Sequence, residues 1–322
     1  MATRTSPRGR AGHQERPKRS GQSPAGGPLP SSGGRRNPFR RLRLPASGKL
    51  RAGLGIVTAI VLFGVLGPPL TPDPQAISGA VLSPPSGAHW FGTTQTGQDV
   101  LAQLAEATRG SLLVGFVVGV LATALSVVVG VVGGYAGRRT DETLSLLTNV
   151  VLVIPSLPLA IVIANYLAGG GLAVTVLVIG VTIWAAPARV LRAQTRSLRE
   201  RDYVSAAKAS GERTWRILFV EILPNLLPVV ASQFVFSVVF AVLTEASLAF
   251  LGLAGFGQLT WGTLLYYAQN AQALVLGAWW WFVPPGLLMA LTGCGLSLIN
   301  FAIDEVIDPN LRTPARKRKV SR

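Results

Sequence analysis

SLLVGFVVGVLATALSVVVGVVGGY, residues 111–135, is a run of 25 residues without Asp, Glu, Lys or Arg. A helix that crosses the hydrocarbon core of a bilayer needs about 20 predominantly apolar residues. A lone strand of the same composition would leave its backbone unpaired in lipid, so the stretch reads as a membrane-spanning helix. Five more apolar runs surround it, at 53–70, 144–167, 172–186, 226–251 and 274–301. The run 172–186 is short and is expected to continue past Pro187. Of the 322 residues, 49% are hydrophobic and only 14% charged, against about 25% charged in ordinary soluble domains. The expected fold class is an all-α integral membrane protein with six transmembrane helices.

The net charge of +16 would fit a nucleic-acid binder, but the positions of the charges argue against it. Of the 30 Lys and Arg, 13 lie in 1–51, two are Arg138 and Arg139, eight lie in 189–216 and six in 312–322. Between the runs, 71–108, 168–171 and 252–273 hold none. Alternate loops therefore carry the cations, and Arg109 is the exception, placed where a long side chain can snorkel to the interface. By the positive-inside rule both termini are cytoplasmic, and no nucleic-acid partner is expected. The domain reading is a disordered basic cytoplasmic tail at 1–50, a first transmembrane helix at 51–70 and an extracytoplasmic segment at 71–108. A five-helix core follows at 109–305, then a basic cytoplasmic tail at 306–322. The Arg35–Arg51 end of the first tail reads as either a topology anchor or a contact for anionic lipid.

Several features exclude other chemistry. The single cysteine, Cys294, reads as a small core residue. His13 and His89 are far apart and suggest no metal site. No nucleophile–base–orienter set is recognisable, so no catalytic residue is assigned. Pro155 and Pro158 interrupt the third run, and Pro284 and Pro285 the sixth, as either hinges or shape-setting kinks. Gly115, Gly119, Gly130, Gly133 and Gly134 are read as close-approach positions for neighbouring helices. Trp279, Trp280 and Trp281 read as an interface belt. Glu245 is the acidic residue placed within a span. It is either a pathway contact or a polar tie between helices, and the tie is favoured.

The stretch RERDYVSAAKASGERTWRILFVEILPN, 199–225, is too polar to span and too regular for a simple loop. Tyr203, Ala206, Ala207 and Ser210 fall at i, i+3, i+4 and i+7 and form a face of mostly small residues. Gly211 then breaks the helix. Trp215, Leu218, Phe219 and Ile222 repeat the spacing as a large apolar face for burial against the protein body or the lipid interface, and Pro224 is expected to end this second helix. The reading is a helix–glycine–helix elbow, with an amphipathic helix lying on the membrane as its alternative.

This loop resembles the EAA loop of ABC importer permeases, whose pattern is Glu-Ala-Ala, three residues, Gly, nine residues, Ile, one residue and Leu-Pro. Here Ser205-Ala206-Ala207, Gly211 and Leu223-Pro224 stand in register, while Ser205 and Glu221 depart from the pattern. HWFGTTQTGQDVLAQLAEATRGSL (89–112), EASLAFLGL (245–253) with WG (261–262), and the 279–312 tail ending in Asp308-Pro309-Asn310-Leu311-Arg312 are similar to the C-type subunit of dipeptide and oligopeptide permeases. Gln98 replaces the family's Arg, and the family's Gly-Asp-Gly-Leu-Arg is missing before that ending. The likeness covers roughly residues 50–312.

The resemblance implies a type I ABC importer permease fold in a bacterial plasma (inner) membrane, with 199–225 as the cytoplasmic coupling loop. It implies a B-type permease partner in a heterodimer, two ATPase subunits or domains and an external substrate-binding protein. Membrane lipid surrounds the chain. Ala206, Ala207 and Gly211 would form the ATPase-docking surface, with Trp215, Leu218, Phe219, Leu223 and Pro224 completing the coupling set. The chain lacks the GxxxxGK[ST] phosphate loop. No cofactor is expected on it, and ATP and Mg belong to the ATPase partners. The implied cargo is di- or oligopeptides. Nickel or another small solute, or ATPase-independent secondary transport, remain as alternatives.

Overall fold

The computed structural model describes residues 48–166, 171–253 and 258–307, all within the compact unit Leu42–Arg322. The expectations for nearly all of the first tail and most of the last lie outside these residues. The described secondary structure is helical apart from two isolated bridges, Ile77↔Gln98 and Thr93↔Asp99. The helices are α1 (Gly48–Leu70), α2 (Val100–Tyr135), α3 (Arg138–Val153), α4 (Ser156–Tyr166), α5 (Gly171–Ile183) and α6 (Ala185–Arg199). They continue with α7 (Asp202–Ala209), α8 (Thr214–Arg216), a π-helical segment (Ile217–Ile222), α9 (Leu223–Phe250), α10 (Trp261–Asn270) and α11 (Trp279–Ile307).

Four stretches are long and apolar enough to cross a membrane as single helices: α1, α2, Thr214–Phe250 and Trp279–Glu305. The other two expected crossings are bent pairs, so the total reaches six when each pair counts as one. The pair α3 and α4 turns by 85°. Ile154 is extended at the break (φ −77°, ψ 123°), because the ring of Pro155 crowds the residue before it out of the helical region. The third crossing is thus broken, not merely kinked. The pair α5 and α6 bends by 42° at Trp184. Pro187 has no N–H to continue the ladder there. The Trp184 carbonyl keeps its helical bond from the Ala188 N–H at 3.1 Å and also accepts from Ser126 Oγ of α2 at 2.8 Å. The fourth crossing does run on past Pro187, as α6. By contrast α11 stays helical through Pro284 and Pro285.

α2 is central and packs against α1, α5, α6 and α9. Its 36 residues make a rod of about 54 Å. It starts well before the apolar run, capped by the Asp99 carboxylate, which accepts from the Ala102 N–H at 2.9 Å. Small residues set its contact distances. A Cβ added at Gly119 would stand 2.5 Å from Val238 Cγ2 on α9, and one at Gly134 would stand 2.6 Å from Thr195 Cβ on α6. Gly133 has room for a Cβ, so it is not a close-approach position.

Segment 71–99 folds back over the start of α2. Ser78 N–H and Oγ both donate to Gly97 O, at 2.9 and 2.7 Å. His89 pairs with Asp99 through Nδ1 at 2.8 Å. Two sequence readings change. Cys294 is exposed on α11 instead of lying in the core. Of the tryptophan trio, Trp279 faces outward, while Trp281 is buried and Trp280 donates through Nε1 to Thr93 O at 3.2 Å. The belt is therefore one residue wide.

Candidate functional site

The 199–225 stretch builds an elbow at the end of the bundle where α2 finishes and α9 begins. α7 closes with a pair of hydrogen bonds typical of a glycine stop: Gly211 N–H donates to Lys208 O at 3.0 Å and Glu212 N–H to Ala207 O at 3.1 Å. Gly211 reaches φ +76°, in the left-handed region where a side chain is strained. A Cβ there would nevertheless meet nothing within 4 Å. Ser205, Ala206, Ala209, Ser210 and Gly211 are exposed, and Ala207 is half-buried. The elbow therefore presents a surface of small side chains with open space above it.

What anchors the elbow differs from the sequence expectation. Val204 packs with Ile217, Ile222 and Leu226 and with Val131 of α2 in one buried cluster, with Leu218 and Leu223 at its margin. Trp215 is 58% and Phe219 63% exposed, so neither is buried against the protein body. The cause is the π segment. Its wider turn puts residues five apart on one face, so Ile217 and Ile222 point inward where an α-helix would have sent Trp215, Leu218, Phe219 and Ile222. Leu223 N–H donates to Leu218 O, which closes the π turn. Pro224 does not end the helix. It falls in the first turn of α9, where a missing N–H is tolerated, and the chain runs on helically to Phe250.

Charged groups fasten the same end. Lys208 Nζ lies 5.1 Å and Arg199 Cζ 6.0 Å from the ring centroid of Tyr135, the last residue of α2. Asp141 of α3 accepts from Arg192 Nε at 2.6 Å and also pairs with Arg196. Tyr135 and Val204 were not singled out in the sequence. The available signal was the i, i+3 pair Val204 and Ala207.

A second feature lies where both bent pairs break. A cavity of about 310 Å³ is lined there by Pro155, Ser156, Thr182, Pro187, Gln233 and Ser237 among others. Interrupted helices at membrane depth are tolerated where they are buried or line such a space.

Glu245 sits apart from that cavity. It is 2% exposed on α9, close to Thr260, the N-cap of α10. Its Oε2 has no hydrogen-bond partner. The neighbouring Trp261 donates from Nε1 to Thr108 Oγ1 at 3.0 Å and from its backbone to Ser111 Oγ at 2.9 Å, which ties α10 to α2. Among the described residues no cluster of His, Cys, Asp and Glu forms a metal centre.

Residues 126–313 match the family described as binding-protein-dependent transport system inner membrane component. The chain is 31% identical to the dipeptide transport system permease protein DppC of Bacillus subtilis (strain 168), over 84% of each chain. It is 29% identical to the oligopeptide transport system permease protein OppC of the same organism, over 84% of this chain and 88% of that one. It is 34% identical to the probable D,D-dipeptide transport system permease protein DdpC of Escherichia coli (strain K12), over 79% and 85% respectively. The MetNI methionine ABC transporter, solved in an inward-facing form, is similar with a TM-score of 0.49 at 20% identity, over 65% of this chain and 97% of that one. The family match and the permease relatives of 31% and 34% identity agree with the apolar helices and the elbow, and the chain belongs to the family of binding-protein-dependent transport system inner membrane components.

Proposed function

We propose that this chain is the C-type permease subunit of an ABC importer for di- or oligopeptides, driven by a separate ATPase that docks on the elbow. The observation that carries the coupling role is the α7–Gly211 surface. Small exposed residues are presented on a segment anchored to α2 and α9 through Val204, Ile217 and Ile222, so a push on the elbow reaches the spans. The peptide cargo follows from the relatives' names, which are dipeptide and oligopeptide permeases. The cavity at the two helix breaks is this subunit's share of the translocation path, completed by a second permease subunit. An external binding protein delivers the cargo. ATP and Mg bind the ATPase partners, and the basic end of the bundle with both termini faces the cytoplasm.

The test is copurification. Ala206 is exposed, so Ala206→Trp adds bulk to the docking surface without disturbing the chain's own packing. The ATPase subunit is expected to copurify with the wild-type chain and to fall at least about tenfold with the variant, a cost of roughly 1.4 kcal/mol in binding. Equal recovery from both would remove the elbow as the docking site.

A further inference from the structure

The end of the bundle opposite the elbow carries a groove of about 490 Å³, separate from the cavity at the helix breaks. One side is α11, where Trp280, Val283 and Leu287 recur at three- and four-residue steps along one helical face. Phe63 of α1 stands on the other side, and the buried Leu104 of α2 forms the floor. Trp90 of segment 71–99 and Trp279, the first residue of α11, stand at the outer end. Every side chain that lines the groove is apolar or aromatic. Another cavity at this end, where Gln103 and Trp281 lie in the wall, also carries several further amide side chains.

The groove is built before anything enters it. Trp280 Nε1 donates to Thr93 O at 3.2 Å, and a Cβ added at Gly92 would stand 2.7 Å from Trp280 Cδ1, so the ring is wedged in place. Along α11 the distance from Trp279 to Leu287 is about 12 Å, which takes the groove from the helix end to hydrocarbon depth.

Three observations select the occupant. Val283 and Leu287 are exposed on a helix that crosses the membrane, so the open side of the groove faces the bilayer. None of α3–α6 or α9 lines it, whereas those elements line the cavity assigned to the second permease subunit. Trp90 and Trp279, at 71% and 55% exposure, stand where the apolar face of an indole meets hydrocarbon and its N–H meets ester oxygens. A chain of methylenes below a polar ester region satisfies all three. Segment 71–108 and α11 hold no Lys or Arg, and Arg109 does not line the groove, so a headgroup phosphate meets no cation there.

We propose that this groove holds one acyl chain of an outer-leaflet glycerophospholipid, with the ester region beside Trp90 and Trp279, the methylenes against Phe63, Val283 and Leu287, and no selection for headgroup charge. The inference needs only that α1 and α11 cross the membrane. It stands apart from the coupling role of the elbow and from the identity of the cargo.

The test starts from the full chain stripped of surrounding lipid in mild detergent. The probe is phosphatidylcholine with a diazirine at the middle of one acyl chain. Photolysis followed by peptide mass spectrometry is expected to place the main adduct within 279–288, and unlabelled phosphatidylcholine should suppress it saturably. Native mass spectrometry should find one lipid retained. Leu287→Trp, which fills the groove from its exposed side, should lower retention at least about fivefold. Leu113→Trp, on an exposed part of α2 outside the groove, should leave retention unchanged. Phosphatidylglycerol and phosphatidylethanolamine should be retained within about twofold of each other. Should Leu287→Trp fail to fold, the adduct map on the wild-type chain decides. The proposal is overturned by a main adduct outside the groove, by equal retention in a folded Leu287→Trp, or by a preference of about tenfold or more for phosphatidylglycerol. Loss of the 279–288 adduct when the partner permease assembles would also overturn it, by showing that a subunit covers the groove.

Discussion

Substitution of Gly211 probes the elbow where the chain's own fold interferes least. An added Cβ meets nothing within 4 Å, so no steric clash arises inside this chain. The internal cost is backbone strain at φ +76°, about 1–2 kcal/mol for an ordinary L residue and less for Asn, which tolerates the left-handed region. α7 remains held by Val204 in its buried cluster. Gly211→Asn therefore adds bulk to the exposed surface at little strain, and Gly211→Val adds bulk and strain together. For a unit of this size, 1 kcal/mol corresponds to roughly 2–4 °C in Tm, so Gly211→Asn should unfold within about 2 °C of wild type. The assay is peptide uptake in proteoliposomes that contain the partner permease and ATPase, with the binding protein supplied outside. Both variants should lower uptake by about tenfold or more, equivalent to 1.4 kcal/mol, while ATP hydrolysis per complex falls less. Wild-type uptake by either variant would refute the elbow as the transmission point.

Gly119→Leu drives a side chain into Val238 across the α2–α9 contact, already 2.5 Å from the position of a Cβ, and should cost about 1–3 kcal/mol. Thermal unfolding in detergent should show a clear drop in Tm, and an unchanged Tm would mean that the two helices are not packed at this distance. Glu245→Gln keeps a polar group beside Thr260 while removing a carboxyl that costs about 2.5–3.5 kcal/mol to place in a membrane span. Uptake competition between free and N-blocked peptides should be unchanged, and an altered preference would place Glu245 on the path instead of between helices.

The six apolar runs, an interruption at Pro155 though not its 85° turn, the continuation past Pro187 and the Gly211 stop were legible in the sequence, while the interruption expected at Pro284 and Pro285 is absent from α11. Each depends on local chemistry: apolar length, the proline ring, or a residue that tolerates positive φ. Which side chains face the protein was much less legible. Lipid is as apolar as a core, so a lipid-facing span need not show the polar-against-apolar stripe of a soluble helix. Cys294 and the tryptophan trio were misread for that reason. Trp215 and Phe219 miss the protein body for another reason: an i, i+3, i+4 pattern assumes 3.6 residues per turn, and the π segment shifts the inward face to Ile217 and Ile222. Gln103 and Trp281 lie far apart in the chain, and only the folded arrangement brings them to the wall of one cavity.

The length of α2 has a mechanical consequence. One unbroken helix reaches from Val131, in the cluster beneath the elbow, to Gln103 at the far end of the bundle. A lever of about 54 Å converts a 5° rotation at one tip into roughly 5 Å of travel at the other. Small swings of this beam, amplified by its length alone, would bring movement at one membrane surface to the other without any residue between them changing its neighbours along the helix.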